Sequence, residues 1–208
     1  MPVWIVIFVC MFTMSLMVAV LHFRMRKGQI LKIRQDYVKN ARYFGRSFSS
    51  LVEKALPEMK NGMIMLSRPE KVLETDGKQE FVQPEIENLV IARNTIFCPQ
   101  QEDLHFQKEI YSEKDALFVK ENIRIRAVYS KKRLLFGNKI RLLRWADAEH
   151  AVAVYDECDL GERVSSGEQL VIGFDNVFHS LYAPVIRLGQ RPEEPDRFME
   201  ECDPRIFR

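Results

Sequence analysis

The chain has 208 residues, 47% of them hydrophobic, and 31 Lys and Arg against 29 Asp and Glu leave a formal charge of +2. That length holds one domain with a sizeable core and appendages. The four cysteines, Cys10, Cys98, Cys158 and Cys202, lie far apart with no Cys-x-x-Cys pair, which excludes a zinc-ligand spacing and a disulfide framework and suits a reducing compartment.

From Val3 to Leu21 there is no charged residue. At about 1.5 Å of rise per helical residue, the run is close to a bilayer's hydrocarbon thickness, so residues 1–23 are expected to form a transmembrane helix. A cleaved signal peptide is disfavoured, because the first residues carry no Lys or Arg and no small-x-small site follows. Between Arg24 and Arg46 come eight basic residues against the single acid Asp36. Positive flanks stay inside, so the expected topology is single-pass in the inner (cytoplasmic) membrane, with the N-terminus outside and the bulk of the chain cytoplasmic.

Residues 24–57 carry Ile30, Ile33, Tyr37, Ala41, Phe44, Phe48, Leu51 and Ala55 at alternating steps of three and four. This predicts a basic amphipathic helix ending near Pro57, lying on anionic lipid or pairing with a second copy. Arg24, Arg26, Lys27, Lys32 and Arg34 are the candidate lipid contacts, and a site this near a membrane meets headgroups before nucleic acid, so no nucleic-acid partner is expected. Residues 58–88 read as a linker with short strands, including a hairpin at Asp76-Gly77 flanked by Val72-Leu73 and Phe81-Val82.

From residue 89 to 188 the pattern changes. Steps of six from Ile110 land on Ala116, Val128, Leu134, Ile140, Ala146, Val152, Cys158, Val164, Leu170, Tyr182 and Leu188, missing only at Asn122 and Asn176. Steps of eighteen align Ser112, Ser130, Ala148 and Ser166; Phe118, Phe136, Val154 and Ile172; and Ala116, Leu134, Val152, Leu170 and Leu188. A fourth column, Leu142, Leu160 and Phe178, is begun less well by Arg124. Such a repeat describes an all-β chain wound as a three-sided parallel β-helix, about five turns long and roughly 24 Å at ~4.8 Å per layer. A step of six does not keep to one face of an α-helix. Residues 189–208, rich in proline and acids, read as a mobile tail, whose Ile206-Phe207 could dock on the last turn.

No constellation for chemistry emerges, and no catalytic residue, metal or cofactor is assigned. His22, His105, His150 and His179 share no spacing; Gly161 and Gly167 lack the Lys-Ser/Thr of a phosphate loop; Asp147, Asp156, Asp159 and Asp175 read as carboxylates solvating corners. The hexapeptide-repeat acyltransferases also wind eighteen residues per coil, but their repeat wants a small or acidic second position, where this chain has Tyr111, Leu117, Tyr129 and Leu135.

The stretches Ile123-Arg124-Ile125-Arg126-Ala127, Leu143-Arg144-Trp145-Ala146-Asp147-Ala148, Leu160 to Ser166 and Leu181-Tyr182-Ala183-Pro184-Val185-Ile186 resemble the bactofilins, polymer-forming cytoskeletal proteins of bacteria, over residues 89–188. The resemblance implies a right-handed coil, nucleotide-independent end-to-end assembly at the membrane, and a scaffold for envelope-building proteins. The long basic segment and residues 58–88 depart from shorter bactofilins. Stacked turns leave unpaired strand groups at both ends. Val177, Phe178, Leu181 and Val185 are the candidate self-association residues at one end, and Leu89, Val90 and Ile91 suggest a matching surface at the other. A tethered adaptor that does not polymerise is the alternative.

Overall fold

The computed structural model describes residues 3–25, 40–75, 77 and 80–192, and at residues 6 and 19–25 the backbone alone. The chain divides into two compact units, residues 1–35 and residues 36–208.

In the first unit the uncharged run forms one helix, α1 (Val3–Met25). Its described side chains all face outward, Trp4 at 81% and Phe8 at 72% exposure among them. Side chains are described at residues 3–5 and 7–18 only, and among the described residues no helix is long and apolar enough to cross a membrane.

The second unit is a parallel β-solenoid of about six turns. Its first wall stacks β2 (Pro69–Thr75), β4 (Leu89–Ala92), β5 (His105–Ser112), β7 (Arg124–Ser130), β9 (Arg141–Ala148), β11 (Arg163–Ser166) and β13 (Leu181–Tyr182). The second wall stacks β6 (Ala116–Phe118), β8 (Leu134–Phe136), β10 (Ala151–Val154), β12 (Gln169–Ile172) and β14 (Val185–Leu188). A third side is made by β3 (Glu85–Ile86), the opening residues of β5, β7 and β9, and single bridges from Arg141 to Asp159 and on to Val177. Six steps at ~4.8 Å make the first wall roughly 29 Å long.

Inward positions are the repeat's apolar columns. Ala116, Leu134, Val152 and Leu170 stack in register, as do Phe118, Phe136, Val154 and Ile172, all at most 1% exposed. The corner column of Ser112, Ser130, Ala148 and Ser166 is fully buried, and its serine hydroxyls tie corners together: Ser130 Oγ lies within hydrogen-bond distance of the carbonyls of Lys114 in the preceding layer (2.7 Å) and Arg133 in its own (2.9 Å). Small residues are needed here because two walls converge. The corner before the third side is left-handed in every described turn from Asp103 onward, at Asp103, Asn122, Lys139, Glu157 and Asp175, with φ of 55° to 60°. Asn122 therefore breaks the six-step because it makes this corner. Asn176 takes an inward slot, its Oδ1 accepting from the Cys158 amide (2.8 Å) and its Nδ2 donating to the Tyr155 carbonyl (2.7 Å).

Several expectations are corrected. The coil starts at β2 rather than at residue 89, because Val72 pairs with Leu89 and Leu73 with Val90. Of the hairpin expected at Asp76-Gly77, Asp76 lies outside the described residues; of its expected flanks, Val72-Leu73 pairs in parallel with Leu89-Val90, and Phe81-Val82 is in no strand. The turn lies at Leu66–Arg68, where β1 (Met63–Met65) folds antiparallel onto β2, and the Gly77 carbonyl instead accepts from the Cys98 amide (2.9 Å), one layer on. Arg124 is replaced at the head of the fourth column by Ile125, which pairs with Leu142 through a register shift between Ile125 and Ala127. The last turn is short: Val164 pairs with Leu181 and Leu170 with Ile186. Tyr182 and Leu188, expected inward, are 48% and 54% exposed.

The basic helix is corrected most. Within residues 24–57 the described helix is α2 (Tyr43–Ala55), followed by a 3₁₀ turn over Leu56–Glu58 that contains Pro57. Its buried residues are Gly45, Ser49 and Val52, with Phe48 and Ala55 partly buried; Phe44 and Leu51 of the expected face are 41% and 45% exposed. This rotated face packs on the chain's own first wall, over Tyr111, Ala127, Tyr129 and Trp145. Neither lipid nor a second copy is what covers it.

Candidate functional site

The coil's two ends differ. At the N-terminal end Phe81 joins the interior cluster at 6% exposure, edge-on to Phe106 at 5.5 Å and to Phe97 at 6.4 Å. Gln101 holds it there: its Oε1 accepts from the Phe81 amide (2.5 Å) and its Nε2 donates to the Phe81 carbonyl (2.8 Å). Phe97, Phe106, Phe118 and Phe136 continue the aromatic packing inward, with ring centroids about 6 Å apart, a normal contact distance. The edge of β2 is taken by β1, an antiparallel strand of three residues. Leu89, Val90 and Ile91 are at most 2% exposed, so these three residues themselves offer no contact surface.

At the C-terminal end β13 and β14 are the last strands of their sheets, and among the described residues nothing pairs with their outer edges. The four expected contact residues are brought together here. Val177 is 61%, Val185 46% and Phe178 40% exposed, while Leu181 is half-buried against the core. Four more were missed: Phe174 (50%), Tyr182, Ile186 (41%) and Leu188. The signal for Tyr182 and Leu188 was the shortened final turn, which ordinary six-step counting passes over. Isolated exposed apolar residues need no explanation, but eight gathered on one turn form a patch of the kind that marks an interaction surface.

Near the second unit's first described residue lies a buried polar cluster. Arg42, 4% exposed, donates from Nε to Asp147 Oδ1 (2.8 Å), from Nη2 to Asp147 Oδ2 (3.1 Å) and to the Ala148 carbonyl (2.9 Å), and from Nη1 to Glu149 (3.1 Å). Asp147, expected at a solvated corner, is 1% exposed and also accepts from Ser165 Oγ at 2.7 Å. Gly45 makes this approach possible, since a Cβ there would stand 2.3 Å from Asp147. Burial pushes the Asp147 carboxyl above its ordinary range, against the hydrogen bonds from Arg42 and Ser165. Burial pushes Glu149 the same way, but Arg42, Tyr129 and Arg46 outweigh it and hold Glu149 low. Bidentate Arg–carboxylate geometry makes this a directional clamp, not a reactive group.

Elsewhere polar side chains are paired between layers: Lys139 with Glu121 (2.9 Å) and Arg141 with Asp159 (3.3 Å) as ion pairs, and His150 Nδ1 with Glu168 (2.7 Å), each eighteen residues apart. His179 Nδ1 lies 2.9 Å from the Gly161 carbonyl, and His105 begins β5, so the described histidines stand in separate places. Among the described residues no group of three or more His, Cys, Asp or Glu is placed to hold a metal ion. Cys158 is 1% exposed in the core, and burial pushes its thiol up to about 12, well away from thiolate reactivity. Of the candidate lipid contacts, Arg24 lies in α1 with only its backbone described; Arg26, Lys27, Lys32 and Arg34 fall outside the described residues, as does the proposed docking of Ile206-Phe207.

Compared with family models, with curated proteins and with solved structures, the chain matches none.

Proposed function

We propose that this chain is a non-catalytic, membrane-tethered scaffold whose solenoid joins a second copy through its C-terminal end. The observation that carries this is the contrast in closure: one end is plugged and edged, while the other leaves seven apolar residues exposed and, among the described residues, two strand edges unpaired. Such an edge is a template for pairing, and it persists only where something uses it or blocks it. The resemblance to bactofilins agrees with assembly through coil ends. A filament needs two usable ends, however, and the plugged end offers only the outer edge of β1. The described ends therefore favour a pair over an endless rod, which brings the adaptor reading closer.

Tethering rests on α1. By sequence, its uncharged run of Val3 to Leu21 comes to roughly 28 Å as a helix, close to a bilayer's hydrocarbon thickness, and Trp4, Phe8, Met11 and Phe12 at 62–81% exposure would be a costly surface in water. The basic residues after it favour a cytoplasmic solenoid, and anchoring of copies in one plane would raise the effective concentration of a weak end contact. Envelope-associated proteins are the expected clients.

Phe178→Arg or Leu181→Arg tests the reading by light scattering of the purified protein. The expected result is a folded particle of lower mass. An unchanged mass removes the C-terminal end as the contact. Deleting residues 1–23 should move the protein to the soluble fraction.

A further inference from the structure

Beside the face that packs on the first wall, α2 carries a second apolar stripe. Phe44, Phe48 and Leu51 follow one another at four and three residues, so they share one flank of the helix. Phe48 is partly buried, edge-on to Trp145 at 5.6 Å, while Phe44 and Leu51 stand 41% and 45% exposed. Together with Leu66 in the β1–β2 turn and Trp145 of β9, this flank lines a groove of about 550 Å³, a volume usual for ligand sites.

The charged groups around the groove are mostly cations. Three bases line it against two acids. Lys108 is paired with Glu70 (2.8 Å) and Arg126 with Glu109 (3.2 Å), so these four largely cancel. Arg68 also lines the groove, and the Arg163 guanidinium lies over the Phe44 ring at 5.6 Å from its centre. Among the described residues neither arginine has a carboxylate partner. Such a trough suits a ligand that is apolar along its length and anionic at one end, since a guanidinium offers phosphate a planar fork of donors.

We infer that the groove between α2 and the β1–β2 turn seats an acyl chain of an anionic phospholipid, with Arg68 and Arg163 meeting its phosphate. The inference rests on the tethering by α1 proposed above, because a chain held by a membrane span meets anionic headgroups at high local concentration. Charge favours the same occupant: the sequence leading into α2 carries eight basic residues between Arg24 and Arg46 against the single acid Asp36. Burying Phe44 and Leu51 against an acyl chain removes apolar surface from water that the protein's own packing leaves exposed. The groove would thereby add a lipid-selective hold to the unselective one of α1.

Trp145 is the reporter for the test. In the full chain bearing Trp4→Phe it is the one remaining tryptophan. The probe is vesicles of mixed phosphatidylcholine and phosphatidylglycerol, brominated on the acyl chains of one lipid or the other. Brominated phosphatidylglycerol should quench Trp145 emission well beyond brominated phosphatidylcholine at equal bromine content. Leu51→Asp and Phe44→Asp should each abolish that excess, and both side chains are exposed, so the fold is kept. Val82→Asp, at a fully exposed position outside the groove, should leave the excess unchanged. Arg68→Ala should raise the phosphatidylglycerol fraction needed for half the effect roughly fivefold. Equal quenching by the two lipids overturns the inference, and so does no quenching by either, which would give the groove to a protein segment. Vesicle flotation is read in parallel: a chain that floats without quenching keeps the tether and loses the groove, whereas one that does not float loses both.

Discussion

At its N-terminal end the solenoid carries Phe81 across its interior and β1 along its first edge, whereas at its C-terminal end its last described strands are β13 and β14, with seven apolar side chains exposed. Both ends are cut from the same repeat. A parallel stack has no internal stop signal, because each layer leaves an edge like the one it covered. Closure must come from residues outside the period, and the described ones are gathered at the N-terminal side of the unit: the hairpin, Phe81 with its Gln101 clamp, and α2 on the first wall.

The strongest way to break that contrast is to loosen the covers at the beginning of the unit. Arg42→Met strands Asp147 in a buried site and is expected to cost about 3–5 kcal/mol by chemical denaturation; adding Asp147→Leu should restore part of it, and a loss under about 1 kcal/mol would show that the clamp contributes little. Phe81→Ala should cost about 3 kcal/mol and give the N-terminal end the bare interior of the other, so larger particles by light scattering are expected as well. Gly45→Ala drives a methyl into Asp147 and should cost about 1–3 kcal/mol, with faster proteolysis of α2 as its local signature.

Acid should act on the same region. Burial raises the Glu53 and Glu149 carboxyls, but Lys131 and Arg42 respectively override it and hold both below their ordinary value of 4.5. Their contribution is present above pH 4.5 and lost as pH falls through the lower folded values, so the melting temperature should drop on acidification. Asp147, raised from 3.8, works the other way, and Asp147→Asn should therefore steepen that drop. The smallest stability change belongs to Phe178→Arg, within about 0.5 kcal/mol at an exposed position, although it is the variant expected to alter particle mass.

Columns of eighteen were readable because every inward residue of a stacked layer meets the same neighbours above and below, so burial repeats with the layer. Ala116, Leu134, Val152 and Leu170 needed no coordinates to be aligned. The buried face of α2 is only half legible from its large apolar residues, of which Phe48 and Ala55 pack on the wall and Phe44 and Leu51 do not. Contact is made by Gly45, Ser49 and Val52, small enough for the helix to approach Tyr129 and Asp147, while Phe44 and Leu51 remain half outside. Outward apolar residues at Tyr111 and Tyr129 are visible as departures from a hexapeptide pattern, and that is the available signal that the first wall carries a cover.

The sequence by itself determined a parallel three-sided coil, its layer spacing, the uncharged N-terminal run and the gathering of Val177, Phe178, Leu181 and Val185 in one final turn, since each follows from local periodicity. Only the tertiary structure decided where the coil begins, which end is closed and what lies on the first wall. Those depend on contacts such as Arg42 with Asp147, 105 residues apart, and Phe81 with Gln101, where the partners' separation follows no period.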